Sequence, residues 1–155
     1  MTYQMITTEK ALGDLLDEVG TGLAALDFET TGLRPELSEV RLAQVCNDEV
    51  FAVVDFWALP GKTFAAYAEW FEDATWIAFN AGFEYQWFEY CDEPQVKVID
   101  VAHARRARMG GDKFGLAGML KADLKIDLPK DQQLSNWAAP ELSDEQLKYA
   151  ADVAL

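Results

Sequence analysis

The spacing of apolar residues changes along this chain in an order that few architectures accommodate. Thr8 precedes EKALGDLLDEV, where Leu12, Leu15, Leu16 and Val19 share one helical face before Gly20 and Gly22 end it. GLAALDFET then reads as a strand. EVRLAQVCN and VFAVVDF, joined across the turn-prone Asn47-Asp48, alternate roughly as a hairpin. Beyond them the pattern gives FAAYAEWFED as a helix, TWIAFN as a buried strand, GFEYQWFEYCD as a helix and VKVID as a short strand. VAHARRARMG reads as a helix capped by Asp100, and FGLAGMLKADL and a segment from Ser143 supply two more. A hairpin followed by alternating strands and helices implies an α/β fold, with a mixed sheet of five strands flanked by helices. No linker rich in Pro, Gly or Ser interrupts it, and 155 residues suit one domain over 1–155.

The charge narrows the partners. Thirteen Lys and Arg against 27 Asp and Glu leave a formal −14, which argues against a grip on a phosphate backbone through many basic contacts. It leaves open contact with phosphates through metal ions held by carboxylates, because a divalent cation inverts the electrostatics of an acidic site. Arg105, Arg106, Arg108, Lys113, Lys121, Lys125 and Lys130 gather in the C-terminal third, so a local positive edge is compatible with the balance. No apolar run approaches the roughly 20 residues that span a bilayer, and MTYQMITTEK lacks the basic start and apolar stretch of a signal peptide. The expectation is a soluble, cytoplasmic protein with no membrane partner. Cys46 and Cys91 form no CxxC pair and have no paired His, so they read as free thiols in a reducing compartment.

Chemistry concentrates in three segments. Asp27 and Glu29, in LDFETTGL, end the first long strand two residues apart, so both carboxylates project from one face. The C-terminal edge of an α/β sheet is where ligands tend to bind. Paired carboxylates repel unless a cation lies between them, and hard oxygen ligands select Mg²⁺ or Mn²⁺. Solvated loop carboxylates would explain a lone DxE equally well. WIAFNAGFEYQWF adds Asn80, Phe83 and Glu84 just after another strand, and LSDEQLKYAADVAL adds Tyr149 and Asp152, three apart on a helix. In these segments the sequence resembles the DEDD superfamily of 3′-to-5′ exonucleases, in its tyrosine-bearing branch, which includes RNase D and the proofreading domains of family A DNA polymerases. LDFETTGL is similar to the first motif, NAGFE to the second and YAADV to the third. LPKDQQLSNWAAPELSDEQLKYAADVAL resembles an RNase D stretch, VIDVAHARRARM resembles the segment after the second motif, and the likeness runs from Leu23 to Leu155.

The resemblance implies a ribonuclease H-like (DnaQ-like) fold in which Asp27, Glu29, Glu84 and Asp152 hold two divalent ions, Mg²⁺ or Mn²⁺, and Tyr149 orients the attacking water. It further implies that Thr30 and Leu33 touch the terminal nucleotide, Leu33 as a wedge, and that Asn80 and Phe83 support the same end of the strand. The implied reaction is phosphodiester hydrolysis at single-stranded 3′ ends, DNA marginally ahead of RNA, releasing nucleoside 5′-monophosphates. A polymerase domain or subunit is the implied protein partner. No Ser/His/Asp or Cys/His set competes with this reading. His103 reads as a surface residue, the tryptophans as core, and Trp137 as the anchor of its loop.

Two departures from the family pattern stand out. Glu84 occupies the place of an aspartate, and its extra methylene moves the carboxylate by roughly 1.5 Å. Tyr149 and Asp152 have two residues between them where the family has three, which turns the aspartate by about 100°. The chain also stops at Leu155, where relatives continue their last helix. These departures motivate an alternative, a nucleic-acid-binding module that kept the fold and lost turnover. The −14 charge motivates another, an acidic mimic of nucleic acid that binds a basic partner.

Overall fold

The computed structural model describes residues 3–110, 115–127 and 135–153. Lys113, Lys130 and the 128–134 stretch of the RNase D-like segment lie outside the described residues. Thr8 caps α1 (Glu9–Val19) by accepting the Ala11 amide, and Leu12, Leu15 and Val19 turn inward. Gly20, at φ 56°, ends the helix in the left-handed region that favours glycine.

Six strands form one sheet: β1 (Gln4–Ile6), β2 (Leu23–Thr30), β3 (Val40–Cys46), β4 (Phe51–Asp55), β5 (Thr75–Ala78) and β6 (Lys97–Asp100), in the order β1-β4-β3-β2-β5-β6. The expected hairpin is present, with β3 antiparallel to both β2 and β4. β1 with β4, β2 with β5 and β5 with β6 are parallel, so the sheet is mixed. It carries one strand more than the sequence pattern suggests. β1 is too short for its own alternation to declare it, and its place comes from pairing, with Met5 opposite Val53.

The helices after the hairpin are α2 (Gly82–Tyr90), α3 (Val101–Met109), α4 (Leu116–Asp123) and α5 (Asp144–Val153). The helix expected over FAAYAEWFED is instead two short 3₁₀ turns, Phe64–Ala66 and Ala68–Phe71. Tyr67 breaks them at φ −132°, where its buried hydroxyl donates to Glu9 Oε1 at 2.8 Å and accepts from the Gly61 amide at 2.9 Å. Burying the rings of Phe64, Tyr67 and Phe71 outweighs one continuous helix.

Each face of the sheet has its own cluster. Ala24, Leu26 and Phe28 of β2 point into an aromatic core with Phe56, Phe64, Phe71, Trp76 and Phe88, in which Phe28 and Phe64 meet edge-on at 5.1 Å. The opposite face holds Leu42, Val53, Trp137, Ala150 and Ala151 under α5. Period-two alternation therefore puts Asp27 and Glu29 on the α5 side. Arg41 is 4% exposed and makes two 3.0 Å bonds to Asp55, and its Nη1 donates to the Ala139 carbonyl at 2.9 Å. This clamp ties the approach to α5 onto the hairpin. Among the described residues, no helix is long and apolar enough to cross a membrane.

Candidate active site

β2 carries the first two carboxylates past the end of its parallel neighbour. Pairing with β5 runs from Leu23 to Ala25, so Asp27 and Glu29 extend beyond it toward the turn that opens α2. A bulge between Glu29 and Thr30 ends the regular pairing with β3. In the loop that follows, Thr30 donates its hydroxyl to the Gly32 carbonyl at 2.6 Å. A side chain at Gly32 would meet Ser38, at 2.3 Å from its Oγ and 3.2 Å from its Cβ, so the loop packs closely against that residue. The loop leaves Leu33 77% exposed beside the site, with its carbonyl facing Gln86 Nε2 at 3.5 Å.

The third carboxylate comes from α2. Asn80 leaves β5 at φ 61° and its carbonyl receives the Phe83 amide at 3.0 Å, a tight turn that starts the helix. Glu84 is then 2% exposed, and its Oε2 has no hydrogen-bond partner among the described residues. Phe83 is half-buried, edge-on to Trp87 at 6.3 Å, while Asn80 is exposed.

The electrostatics tie these groups together. Burial pushes Asp27 up to about 7. Burial, then the Asp27 charge, raises Glu29 to about 9 and Glu84 to about 8. Asp100, at the end of β6, adds a smaller upward push on Glu84. Burial followed by the charges of Glu29 and Asp27 pushes Tyr149 of α5 up to about 12. Its ring lies 6.4 Å from that of Trp137, which is buried. Asp27 is thus the hub of a group made by Glu29, Glu84 and Tyr149.

Asp152 is not brought into that group. Its carboxylate pairs with Lys148 on the same helix and is 38% exposed. The cause is the shortened spacing: Ala150 and Ala151 fill the buried side of α5, and the position four residues after Tyr149, where the family carries its aspartate, is Val153. Asp100 caps α3 through the His103 amide, and His103 is exposed. Sequence reasoning took Asp100 as a cap in preference to a metal ligand, and gave no sign of its nearness to Glu84. The available signal was that β5 and β6 run parallel, which brings their C-terminal ends, and the residues that follow, side by side.

The donor set fits a hard divalent cation. It consists of carboxylate oxygens, it is partly buried, and one oxygen of Glu84 lacks a partner. As placed, no group of three or more His, Cys, Asp and Glu side chains among the described residues is in coordinating geometry. The Asp27 charge acts on both Glu29 and Glu84, yet the three carboxylates do not converge on a point.

A mixed sheet flanked by helices, with acidic residues at the free end of its central strand, defines the ribonuclease H-like exonuclease fold class. Within that class, residues 3–154 match the family model of the 3′-5′ exonuclease domain, and the chain belongs to this family. Ribonuclease D of Serratia proteamaculans (strain 568) is 26% identical over 158 residues, 97% of this chain and 41% of that protein. The chain therefore spans about two fifths of that relative's length. In fold it is similar to Escherichia coli RNase D, described as an exoribonuclease involved in structured RNA processing, with a TM-score of 0.83 at 24% identity over 99% of this chain and 42% of that one. It is also similar to Brucella melitensis NrnC with bound Mg²⁺, with a TM-score of 0.75 at 23% identity over 99% of this chain and 75% of that one.

Proposed function

We propose that residues 1–155 form one exonuclease domain of the RNase D type. It removes nucleotides from single-stranded 3′ ends with divalent metal ions and releases nucleoside 5′-monophosphates. The observation that carries the reading is the partly buried group of Asp27, Glu29 and Glu84, all raised well above ordinary carboxylate values, with Tyr149 beside it.

Asp27, Glu29 and Glu84 would hold a first ion, Mg²⁺ or Mn²⁺. A second ion would depend on Asp152, which must exchange its pairing with Lys148 to take part. When bound, two such ions supply the positive charge that in-line displacement at phosphorus needs on its attacking and leaving sides. Tyr149, at about 12, keeps its proton at neutral pH and can orient the attacking water through its hydroxyl. Leu33, exposed at the loop tip, is shaped to wedge beneath the terminal base, with Thr30, Asn80 and Phe83 around the same end. Stacking and shape serve a single-stranded end better than readout of base edges. The RNase D likeness brings RNA level with DNA as substrate. It lends no support to a polymerase as partner.

A second reading, a binding module without turnover, is favoured by the pairing of Asp152 with Lys148. One experiment separates the two. A 5′-labelled single strand, as DNA and as RNA, is incubated with the chain in Mg²⁺, Mn²⁺ or EDTA, beside Asp27→Ala. A metal-dependent ladder shortening from the 3′ end and absent in the variant is the expected result, and it ranks the sugars. A bound but intact strand under every metal selects the binding module.

A further inference from the structure

Gln44 sits on β3 directly opposite Asp27 on one side and Val53 on the other. It is fully buried, and neither its amide nitrogen nor its carbonyl oxygen has a hydrogen-bond partner among the described residues. Directly opposed residues of antiparallel strands project from the same face with Cβ atoms roughly 4.5–5.5 Å apart. Gln44 therefore stands on the Asp27 side of the sheet. Glu29, whose own opposite is Leu42, is its diagonal neighbour.

A buried amide with no partner is a poor core residue. It gives up its bonds to water and gains nothing that an apolar side chain of the same size would not gain. The surrounding strand positions Leu42, Ala43, Val45 and Val53 are apolar and completely buried, so packing alone would be served by a hydrocarbon. Of the two residues directly across from Gln44, only Asp27 has a side chain that can form a hydrogen bond. Asp27 is also the residue whose charge acts on both Glu29 and Glu84.

We infer that Gln44 is a positioning residue for the metal site: when a divalent cation is held, its Nε2 donates to the Asp27 carboxylate and fixes which way the carboxylate oxygens face. The inference rests on the reading of Asp27, Glu29 and Glu84 as metal ligands. A hydrogen bond to the charged form favours a carboxylate that must be ionised to bind metal. Partners of this kind typically contribute 10–100-fold to metal affinity. A bond that forms when the cation is held gives the amide a metal-linked signature that a plain core residue lacks.

The test combines thermal melts in EDTA with Mn²⁺ titration by calorimetry, on the chain and on Gln44→Met, Gln44→Leu and Asp27→Asn. The Gln44 variants are expected to melt higher than the parent, by on the order of 2–4 °C, because two unpartnered polar atoms leave the core. They are also expected to bind Mn²⁺ about 10–100-fold more weakly. Asp27→Asn should lose the binding. Gln44 variants that bind Mn²⁺ like the parent overturn the proposal while Asp27→Asn still reports on the site. Parent-like binding by Asp27→Asn overturns the reading of the site, and this inference with it. Should both larger variants fail to fold, Gln44→Asn keeps the amide and draws it back by one methylene. Weakened Mn²⁺ binding there supports the inference, and unchanged binding overturns it.

Discussion

Glu84 is the most enclosed of the acidic residues in the site, and its Oε2 has no hydrogen-bond partner among the described residues. Glu29 and Glu84 both feel the charge of Asp27, whereas the carboxylate of Asp152 pairs with Lys148 on its own helix. Asp27→Asn is therefore expected to reduce hydrolysis in Mn²⁺ by at least about a hundredfold, the scale on which misplacing a reacting group acts. Asp152→Ala should cost distinctly less, and steady-state rates on one labelled strand compare the two. Equal losses would show that Asp152 leaves Lys148 and ligates as strongly as the others. Asp27 and Glu29 were legible in the sequence because their two-residue spacing at a strand end fixes a common face. The nearness of Asp100 to Glu84 was not, because it depends on how separate strands align. Nor was the pairing of Asp152 with Lys148, a contact one turn apart on a helix whose spacing from Tyr149 departs from the family's.

At the scale of elements, local signals were read well where a cap declared them. Thr8 and Asp100 cap α1 and α3. Ser143 and Gln146 bond each other's backbone at the start of α5, with Ser143 N to Gln146 Oε1 at 2.9 Å and Gln146 N to Ser143 Oγ at 3.3 Å. What eluded sequence reasoning was decided by packing: β1 exists through its partner, and the 64–71 segment bends to bury its rings. The Arg41 clamp belongs with these, since nothing local predicts that Arg41 will meet Asp55 and the Ala139 carbonyl. Removing one member of a buried pair leaves the other charge stranded, at a cost of about 3–5 kcal/mol. Arg41→Met is expected to lose stability on that scale in urea unfolding. It should also weaken the hold on α5, and so on Tyr149. A change within about 0.5 kcal/mol, the ordinary range for surface substitutions, would mean that the clamp does not carry the segment.

Across the whole molecule, the raised carboxylates link folding to pH and to metal. In the folded, metal-free chain Asp27 titrates near 7, Glu84 near 8 and Glu29 near 9, against ordinary values of 3.8 and 4.5. Between those limits the folded state holds more protons than the unfolded one. The resulting stability is complete below about pH 4 and is lost as the pH rises through about 9. Thermal melts in EDTA are expected to fall from about pH 5 to about pH 9 through these groups. Saturating Mn²⁺ should raise the melting point and oppose that fall, because the cation takes the place of the protons. At 100 times its dissociation constant it contributes about 2.7 kcal/mol, and EDTA removes the gain. The central claim is that these three carboxylates make a metal-dependent nuclease, and release of nucleotide tests it most directly. A single-stranded RNA labelled in its 3′-terminal nucleotide, mixed with excess chain in Mn²⁺, should yield labelled nucleoside 5′-monophosphate, stop on adding EDTA, and yield none with Asp27→Asn. Release that persists in EDTA, or equally with Asp27→Asn, would contradict the account.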